Sequence, residues 1–162
     1  MALVLPSWYV GGCPDIERDV LYPLFQPLLT NTNVVSWIPK PDVYTATLTA
    51  GGGYLRTYRT GGAWNDIEKR DEPRVQFAIL RPSRDESWQL AEFVRQVLIS
   101  LIRQAAVIPG TAIELSAEGE VAGPQLIPEM LQDDKLVPIT WQLYTRKKGM
   151  PDYHSALNLT SL

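Results

Sequence analysis

The residues best suited to nucleophilic catalysis stand near the end of the sequence. The chain has one histidine, His154, which lies between Asp152 and Ser155. A serine or cysteine nucleophile needs an imidazole that is held on a rigid element and oriented by a third group. Because these residues follow the last periodic pattern of the chain, we interpret His154 as a solvated side chain. The lone cysteine, Cys13, has no basic neighbour in the sequence to stabilise a thiolate, and we interpret it as an incidental thiol.

Clustered carboxylates indicate a metal-binding site as an alternative, because hard divalent cations take carboxylate oxygens as ligands. The residues Asp133, Asp134 and Lys135 match the short Asp-x-Lys string of restriction-type nucleases, with Asp42 as an upstream partner. In those enzymes the string lies on a strand, whereas here it falls in a predicted turn, and so short a string arises easily by chance. A metal-dependent nuclease is therefore the alternative from the enzyme class. The candidate carboxylates are Glu114, Glu118, Glu120, Asp133 and Asp134.

A glycine-rich segment and the aromatic stretch behind it are the best candidates for a binding surface. The three glycines end a predicted strand, but neither a P-loop nor a dinucleotide-binding string follows them. Residues 50–73 are predicted to form a long loop, which is uncommon in a compact domain unless it functions. Basic and acidic residues nearly balance there, which argues against binding a nucleic-acid backbone. The predicted interface residues are Gly51, Gly52, Gly53, Tyr54, Arg56, Tyr58, Arg59 and Trp64.

Acidic residues concentrate in the stretch 112–134, which contains no lysine or arginine. One interpretation is a solvated hairpin face, and the other is a surface that repels DNA. On the second interpretation, the acidic side chains lie along a channel or an outer rim rather than in the core. The residues concerned are Glu114, Glu118, Glu120, Asp133 and Asp134.

Size and composition limit the protein classes that fit. A chain of 162 residues suits one domain with a sizeable core. Its net charge of -3 gives no general affinity for nucleic acid. One cysteine excludes an internal disulfide, and no apolar run is long enough to span a membrane. The first residues lack the basic region of a signal peptide, so we expect folding in a reducing cytoplasm, with no cofactor and no metal.

The scaffold is clearest in residues 74–105, where a strand pattern leads into a helix. The side chains of Val75, Phe77 and Ile79 share one face at period two. Ser83 and Glu86 match a capping box, in which each side chain bonds the backbone amide of the other. Apolar residues then recur every three or four positions, which predicts an amphipathic helix packed on the sheet.

The remaining patterns predict a second helix, several strands and a tail. The helix begins near residue 14, and it should kink or end early because Pro23 and Pro27 each remove a hydrogen-bond donor. Strands are indicated by β-branched and aromatic residues, and a hairpin by the pair Glu118 and Gly119. These predictions place strands at 34–38, 43–49 and 136–145, a hairpin at 111–122, one domain over 1–149 and a C-terminal tail over 150–162.

Five strings of the sequence, taken in order, carry a family resemblance. They are Pro14-Asp15-Ile16-Glu17, Gly51-Gly52-Gly53, Glu72-Pro73-Arg74-Val75, Arg84-Asp85-Glu86-Ser87-Trp88-Gln89-Leu90-Ala91 and Trp141-Gln142-Leu143-Tyr144. Together they resemble the tail terminator proteins of long-tailed, siphovirus-type bacteriophages, especially those of actinobacterial phages. These are structural strings rather than catalytic signatures, and the resemblance covers roughly residues 14–146.

The resemblance implies an α+β fold, with a mixed or mostly antiparallel β-sheet and two helices packed on one face. To this the patterns add a β-hairpin and a long inserted loop. It also implies a structural virion protein rather than an enzyme, in which a homohexameric ring caps the tail tube, ends tube polymerisation and joins the tail to the head-completion complex. The implied partners are further copies of the chain, the major tail tube protein and a head-completion or stopper protein. Genomic DNA would pass through the ring without specific binding, and no membrane is involved.

Two features of the residues agree with these implications. A DNA conduit should lack clustered lysine and arginine, because each phosphate contact adds affinity and slows passage. A closing ring needs apolar surface and loops that reach a neighbour, which the aromatic stretch 50–73 is predicted to supply. We therefore expect a virion protein of the tail or neck that is assembled in the host cytoplasm. Another head-tail connector protein is the structural alternative.

Overall fold

The structure of the protein is a computed structural model that describes residues 3–125, 135–151, 153, 156 and 157. A helical segment opens with a π-helix, Ile16–Leu21, and closes with a 3-10 turn, Gln26–Leu28. The α-helices are α1 (Tyr22–Phe25), α2 (Pro41–Thr49) and α3 (Arg84–Arg103). The strands are β1 (Thr32–Val35), β2 (Gly53–Asn65), β3 (Arg70–Leu80), β4 (Ala106–Val107), β5 (Ile113–Ala122) and β6 (Leu136–Lys147).

The strands form one six-stranded sheet in the order β1-β2-β3-β6-β5-β4. Strands β1 and β2 are parallel, and α2 makes the crossover between them. All other neighbouring strands are antiparallel. The prediction of an α+β fold with a mixed, mostly antiparallel sheet is confirmed.

The core lies between one face of this sheet and the helices α1 and α3. Val75, Phe77 and Ile79 of β3 are completely buried, and they stand opposite Trp141, Ile139 and Val137 of β6. Apolar side chains of α3 pack on this layer, as the strand-to-helix pattern predicts. The buried residues of α3 are Ser87, Ala91, Val94, Leu98 and Leu101.

The helix start at α3 matches half of the predicted capping box. Ser83 Oγ accepts a hydrogen bond from the backbone amide of Glu86 at 3.2 Å. The Glu86 carboxylate instead accepts two hydrogen bonds from the Arg81 guanidinium, at 2.9 and 3.2 Å. This guanidinium also donates to Asn31 O and Thr32 Oγ1, so the helix start is tied to the beginning of β1.

The first helical segment is broken, as its prolines predict. Asp15 caps it by accepting hydrogen bonds from the amides of Glu17 and Arg18. The backbone passes through π, α and 3-10 geometry within a few turns, with Pro23 near the start of α1 and Pro27 within the 3-10 turn. Because proline cannot donate to the preceding turn, no single helical pattern continues through the segment.

Residues 43–49 lie in helix α2, so the strand predicted there is wrong. Pro41 suits the first turn of a helix, and Asp42 favours its positive end. Thr47 and Thr49 bond their hydroxyls back to carbonyl oxygens four residues earlier, which accommodates threonine within the helix. Gly51, at φ +78°, then ends the helix in the left-handed conformation. These signals at the two ends of the helix outweigh the preference of its β-branched residues for a strand.

The long inserted loop predicted over 50–73 is also wrong. Most of this stretch is strand β2, which pairs with β3 from Tyr54 and Leu80 out to Asn65 and Arg70. Gly61 stands at a β-bulge, where the register shifts between Arg59 and Gly61. The long feature is therefore a hairpin whose turn lies at residues 66–69.

The hairpin predicted over 111–122 is a single strand, β5, paired with β6. The register shifts between Ala117 and Gly119 and again between Glu120 and Ala122. The glycine at this place therefore serves a bulge rather than a turn.

The free edge of β1 is closed by a side chain. Gln26 Nε2 donates to Thr32 O at 3.1 Å, and Gln26 Oε1 accepts from the Val34 amide at 2.9 Å. The carboxamide thus makes the two hydrogen bonds that a peptide group of a further strand would make. This protects the edge from pairing with another chain.

We expect Gln26→Met to lower the free energy of unfolding by about 1–3 kcal/mol. Methionine has a similar length but leaves the backbone groups of Thr32 and Val34, both buried residues, without these bonds. Chemical denaturation measures the change. Gln89→Met, at an exposed position of α3, serves as the control and should change little. Equal stability of the two variants would contradict the role assigned to Gln26.

Candidate assembly interface

The face of the sheet opposite α3 carries polar and aromatic side chains, and we call it the open face. Its central members alternate with the buried core residues along β2, β3 and β6. Helix α2 reaches only one end of this face, where Thr47 Oγ1 lies 2.7 Å from Tyr54 Oη. The side chains that define the open face are Arg56, Tyr58, Arg70, Glu72, Arg74, Gln76, Gln142 and Tyr144.

Arginine and tyrosine side chains are paired on the open face. The guanidinium carbon of Arg56 stands 5.6 Å from the centroid of the Tyr58 ring, and its Nη2 donates to Gln76 Oε1 at 3.0 Å. The guanidinium carbon of Arg70 stands 3.8 Å from the centroid of the Tyr144 ring. Arginine and tyrosine are both enriched at protein interfaces, and a guanidinium over a tyrosine ring is held by attraction to the face of the ring.

Two side chains of the open face, Glu72 and Tyr144, have shifted pKa values. Hydrogen bonds from Asn65 and then from Arg70 hold the pKa of Glu72 below its usual value. Burial, followed by the nearby Glu118 carboxylate, raises the pKa of Tyr144 to about 12. The phenol of Tyr144 therefore stays neutral where an exposed tyrosine ionises.

This shift predicts a loss of stability at high pH. Because the folded pKa of Tyr144 exceeds the unfolded value, its contribution is complete below about pH 10 and falls as pH rises toward about 12. The free energy of unfolding of Tyr144→Phe should decline less over this interval than that of the wild type. Tyr58→Phe, at a half-exposed position, should keep the wild-type decline. Identical pH profiles for Tyr144→Phe and the wild type would contradict the assignment.

The three glycines predicted as interface residues shape the backbone between α2 and β2. Gly51 and Gly52 follow α2, where their amides donate to Leu48 O and Thr47 O. Gly53 is buried at the start of β2, and a Cβ there would stand 2.6 Å from Leu80 O. Only a glycine fits this close approach of β2 to β3.

Two further predicted interface residues serve the fold, whereas three others remain available to a partner. Tyr54 is buried beneath α2, and Arg59 is held in an ion pair. Arg56 lies partly exposed on the open face, while Tyr58 and Trp64 are exposed. The sequence pattern marked the right stretch but did not separate residues that pack inward from those that face outward.

Arg59 joins the first helical segment to the bulge of the hairpin. Its Nη1 and Nη2 atoms donate to Asp71 Oδ2 and Oδ1, at 2.6 and 2.9 Å. Its Nε atom donates to Gly61 O at 3.2 Å, and its backbone amide donates to Glu17 Oε1 at 2.9 Å. The Asp71 side chain is only 4% exposed, so the guanidinium supplies the charge that a buried carboxylate needs.

Comparison with known proteins identifies the family to which this fold belongs. Residues 12–151 match the family described as phage tail termination protein, and this range includes every helix and strand given above. The chain belongs to the phage tail termination family. No curated protein matches the sequence. The resemblance to tail terminators is thereby confirmed, and with it a structural role in a bacteriophage tail as part of the virion.

The acidic residues of the stretch 112–134 lie outside the core wherever the structure describes them. Glu118 is exposed in the bulge of β5. Glu114 Oε1 forms an ion pair with Lys148 Nζ at 3.1 Å. The Glu120 carboxylate accepts hydrogen bonds from the Arg95 guanidinium at 2.8 and 2.9 Å. Asp133 and Asp134 lie outside the described residues. Two of the acids are thus paired on the subunit itself, and their place along a channel or rim stays a prediction.

The residues with catalytic chemistry are not brought together in the part of the terminator that the structure describes. Cys13 lies at the surface, and partial desolvation of its thiol, followed by the charge of Asp71, raises its pKa. Asp42 lies in the first turn of α2 rather than on a strand, which departs from the nuclease pattern. Asp152, His154 and Ser155, together with Asp133 and Asp134, fall outside the described residues.

Among the described residues, no group of three His, Cys, Asp or Glu side chains is placed to hold a metal ion. No helix within these ranges is both long and apolar enough to cross a membrane.

The sequence patterns missed a surface formed by the hairpin and the end of β6. Trp64 and Lys69, near the hairpin turn, border a pocket of about 630 Å³ together with the basic cluster at the end of β6. This arrangement depends on the register that sets Asp71 of β3 opposite Thr145 of β6. The basic cluster is visible in the sequence, but no local signal reveals which aromatic side chain it meets. The cluster is Arg146, Lys147 and Lys148.

Proposed function

We propose that this protein forms a homohexameric ring that caps the tail tube, ends tube polymerisation and joins the tail to the head-completion complex. The observation that carries the proposal is the family match over residues 12–151. The hexamer, the tube and head-completion partners, and the siphovirus-type, actinobacteriophage-like tail follow from the resemblance of the sequence strings. Genomic DNA passes through the ring without specific binding, and the ring is assembled in the host cytoplasm.

The exposed side chains at the hairpin turn support the proposal that this turn contacts the tube or a neighbouring copy. The β2-β3 pairing continues to Asn65 and Arg70, beyond the last β3-β6 pair at Asp71 and Thr145. The turn lies at this end of the sheet, and Ile67 within it is 92% exposed. An exposed isoleucine beside an exposed tryptophan is costly in water and favourable in a contact.

The acidic stretch 112–134 supports the proposal that DNA passes through the ring. We propose that the carboxylates of the 112–134 stretch face the channel or its rim, where they repel phosphate. Glu118 is the exposed carboxylate of this stretch that the structure describes without a salt-bridge partner among the described residues. We also propose that residues 1–149 act as one domain and residues 150–162 as a tail.

The proposed function is tested by tube growth in solution. The purified tail tube protein is allowed to polymerise with and without this chain, and tube length is measured by electron microscopy. We expect the chain to stop elongation and to remain at one tube end. Tubes that grow to the same length with and without the chain would contradict capping.

A head-tail connector other than the terminator is the structural alternative. The two functions differ in partner, because a terminator binds the tube end whereas a connector binds the portal side. Pull-down with the tube protein and, separately, with the portal protein distinguishes them. Binding to the portal protein without binding to tubes would favour the connector.

A further inference from the structure

The pocket between the hairpin and the end of β6 combines positive charge with apolar walls, and we call it the basic pocket. Its volume of about 630 Å³ lies within the range of ligand sites. Trp64, Met150 and Pro151 provide apolar surface, while Lys69 and the basic cluster at the end of β6 provide charge. A site of this composition suits a ligand in which an apolar group stands beside negative charge.

Two of the four cations that line the basic pocket already have carboxylate partners within the molecule. Lys69 Nζ lies 2.6 Å from Asp66 Oδ1, and Lys148 Nζ lies 3.1 Å from Glu114 Oε1. The other two cations have no salt-bridge partner among the residues that the structure describes, and they are available to a ligand. These are Arg146 and Lys147.

This arrangement of charge fits a short protein segment better than a nucleic-acid backbone. The carboxylate of Glu114 also lines the pocket, and it would repel successive phosphates. A segment with two carboxylates, one on each side of an apolar side chain, would instead match the two available cations and place its apolar group against Trp64.

The hairpin turn of this chain carries such a segment. Asp66, Ile67 and Glu68 are consecutive and exposed, and no large apolar side chain among the described residues is more exposed than Ile67. The Glu68 amide donates to Asn65 Oδ1 at 3.0 Å, and Lys69 takes the left-handed conformation at φ +51°. These features give the turn a defined shape, which lowers the entropy that docking must overcome. The three side chains do not line the basic pocket of their own molecule.

We propose that the hairpin turn of one copy docks in the basic pocket of a second copy of this chain. Ile67 then packs against Trp64 of the neighbouring copy, and the two carboxylates of the turn face the two available cations. Asp66 exchanges its partner Lys69 for a cation of the neighbour at little cost, because both side chains of that ion pair are largely exposed.

The contact can be repeated from copy to copy. The turn and the basic pocket are different surfaces, and every copy carries both, so the contact is head-to-tail and can close a ring. This inference rests on the proposed ring, and it names the contact between neighbouring subunits.

Complementary charge reversal tests the contact. The turn variant is Asp66→Lys with Glu68→Lys, and the pocket variant is Arg146→Glu with Lys147→Glu. Each variant alone should self-associate roughly a hundredfold more weakly than the wild type, because like charges then meet. An equal mixture of the two should regain association, because alternating copies bring every turn to a pocket of opposite charge. Sedimentation measures association of the protein alone, and co-sedimentation with tubes measures it at tube ends.

A charge-matched variant is the control. Arg84→Glu with Arg103→Glu makes the same change of charge at two exposed positions of α3. It should self-associate like the wild type. All the substituted positions are exposed, so thermal unfolding of the three variants should stay close to that of the wild type.

Crosslinking between two different single-cysteine proteins locates the contact. In a Cys13→Ser background, one protein carries Ile67→Cys and the other carries Met150→Cys, and they are mixed with a short bismaleimide. We expect a product that contains one copy of each. Val107→Cys, at an exposed residue of β4 on the edge of the sheet, replaces Met150→Cys as the control, and we expect roughly tenfold less product from it.

The possible failures are distinguishable. Turn or pocket variants that associate like the wild type, or a mixture that does not regain association, would overturn the contact while capping by the wild type leaves the proposed function in place. Turn-variant rings that no longer bind tubes would assign the turn to the tube. Pocket-variant rings that have lost binding to duplex DNA would assign the pocket to nucleic acid, and either result overturns the contact. A wild-type protein that stays monomeric alone and with tubes, and does not cap them, would overturn both proposals.

Discussion

Replacing Arg59 by methionine is expected to lower the free energy of unfolding by about 3–5 kcal/mol, the range for breaking a buried ion pair by removing one partner. The variant loses the two hydrogen bonds to Asp71 and leaves its carboxylate buried without a counter-charge. It also removes the bond from Nε to Gly61 O, which holds the bulge of the hairpin. Urea denaturation measures the change.

A second substitution separates charge from packing. Asp71→Asn added to Arg59→Met removes the stranded charge and should recover a large part of the lost stability. Arg18→Met is the control, because Arg18 forms its ion pair with Asp19 at the surface. There we expect a change of about 1 kcal/mol or less. An effect at Arg59 no larger than at Arg18 would contradict the assigned role.

The second large effect is expected at the hairpin turn. Removing residues 54–71 would delete the part of β2 that carries the buried residues Leu55 and Thr57. The sharper change is Trp64→Ala with Ile67→Ser, which alters exposed side chains beside the turn and leaves β2 in place. We expect tube capping to weaken by about tenfold or more, because exposed aromatic and aliphatic anchors supply most of a contact energy.

A matched pair of substitutions provides the control. Trp88→Ala with Ile102→Ser changes the same residue types on α3, and Trp88 is 44% exposed against 39% for Trp64. This variant should cap tubes like the wild type. Tube length at fixed protein concentration is the measurement. If the α3 variant fails to cap and the hairpin variant caps normally, the tube contact lies on α3 and the assignment to the hairpin is wrong.

The parts of the fold that the sequence predicts are those where two signals agree. Alternation through Val75, Phe77 and Ile79 is followed by the Ser83 cap and a long helical period, and the structure has β3 and α3 there. The kink at Pro23 was predictable because proline acts locally. In α2 the signals conflict, since threonine and valine favour strands while Pro41 and Gly51 mark the ends of a helix.

The surface was harder to predict because it depends on strand register. Leu55 and Thr57 alternate with Arg56 and Tyr58 as on any strand, but the glycines behind them favoured a loop. Which face is covered is decided by where α3 packs, and α3 lies distant in sequence. For the same reason, the pairing of Arg59 with Asp71 across the bulge could not be read from local pattern.

We propose that copies of this chain close on one another around a hole at the end of a tail tube. Electron microscopy of the purified protein, alone and bound to tubes, tests it most directly. We expect closed rings with the symmetry of a hexamer, and one such ring at one end of each tube. Monomers alone, together with tube ends that carry no ring, would contradict it.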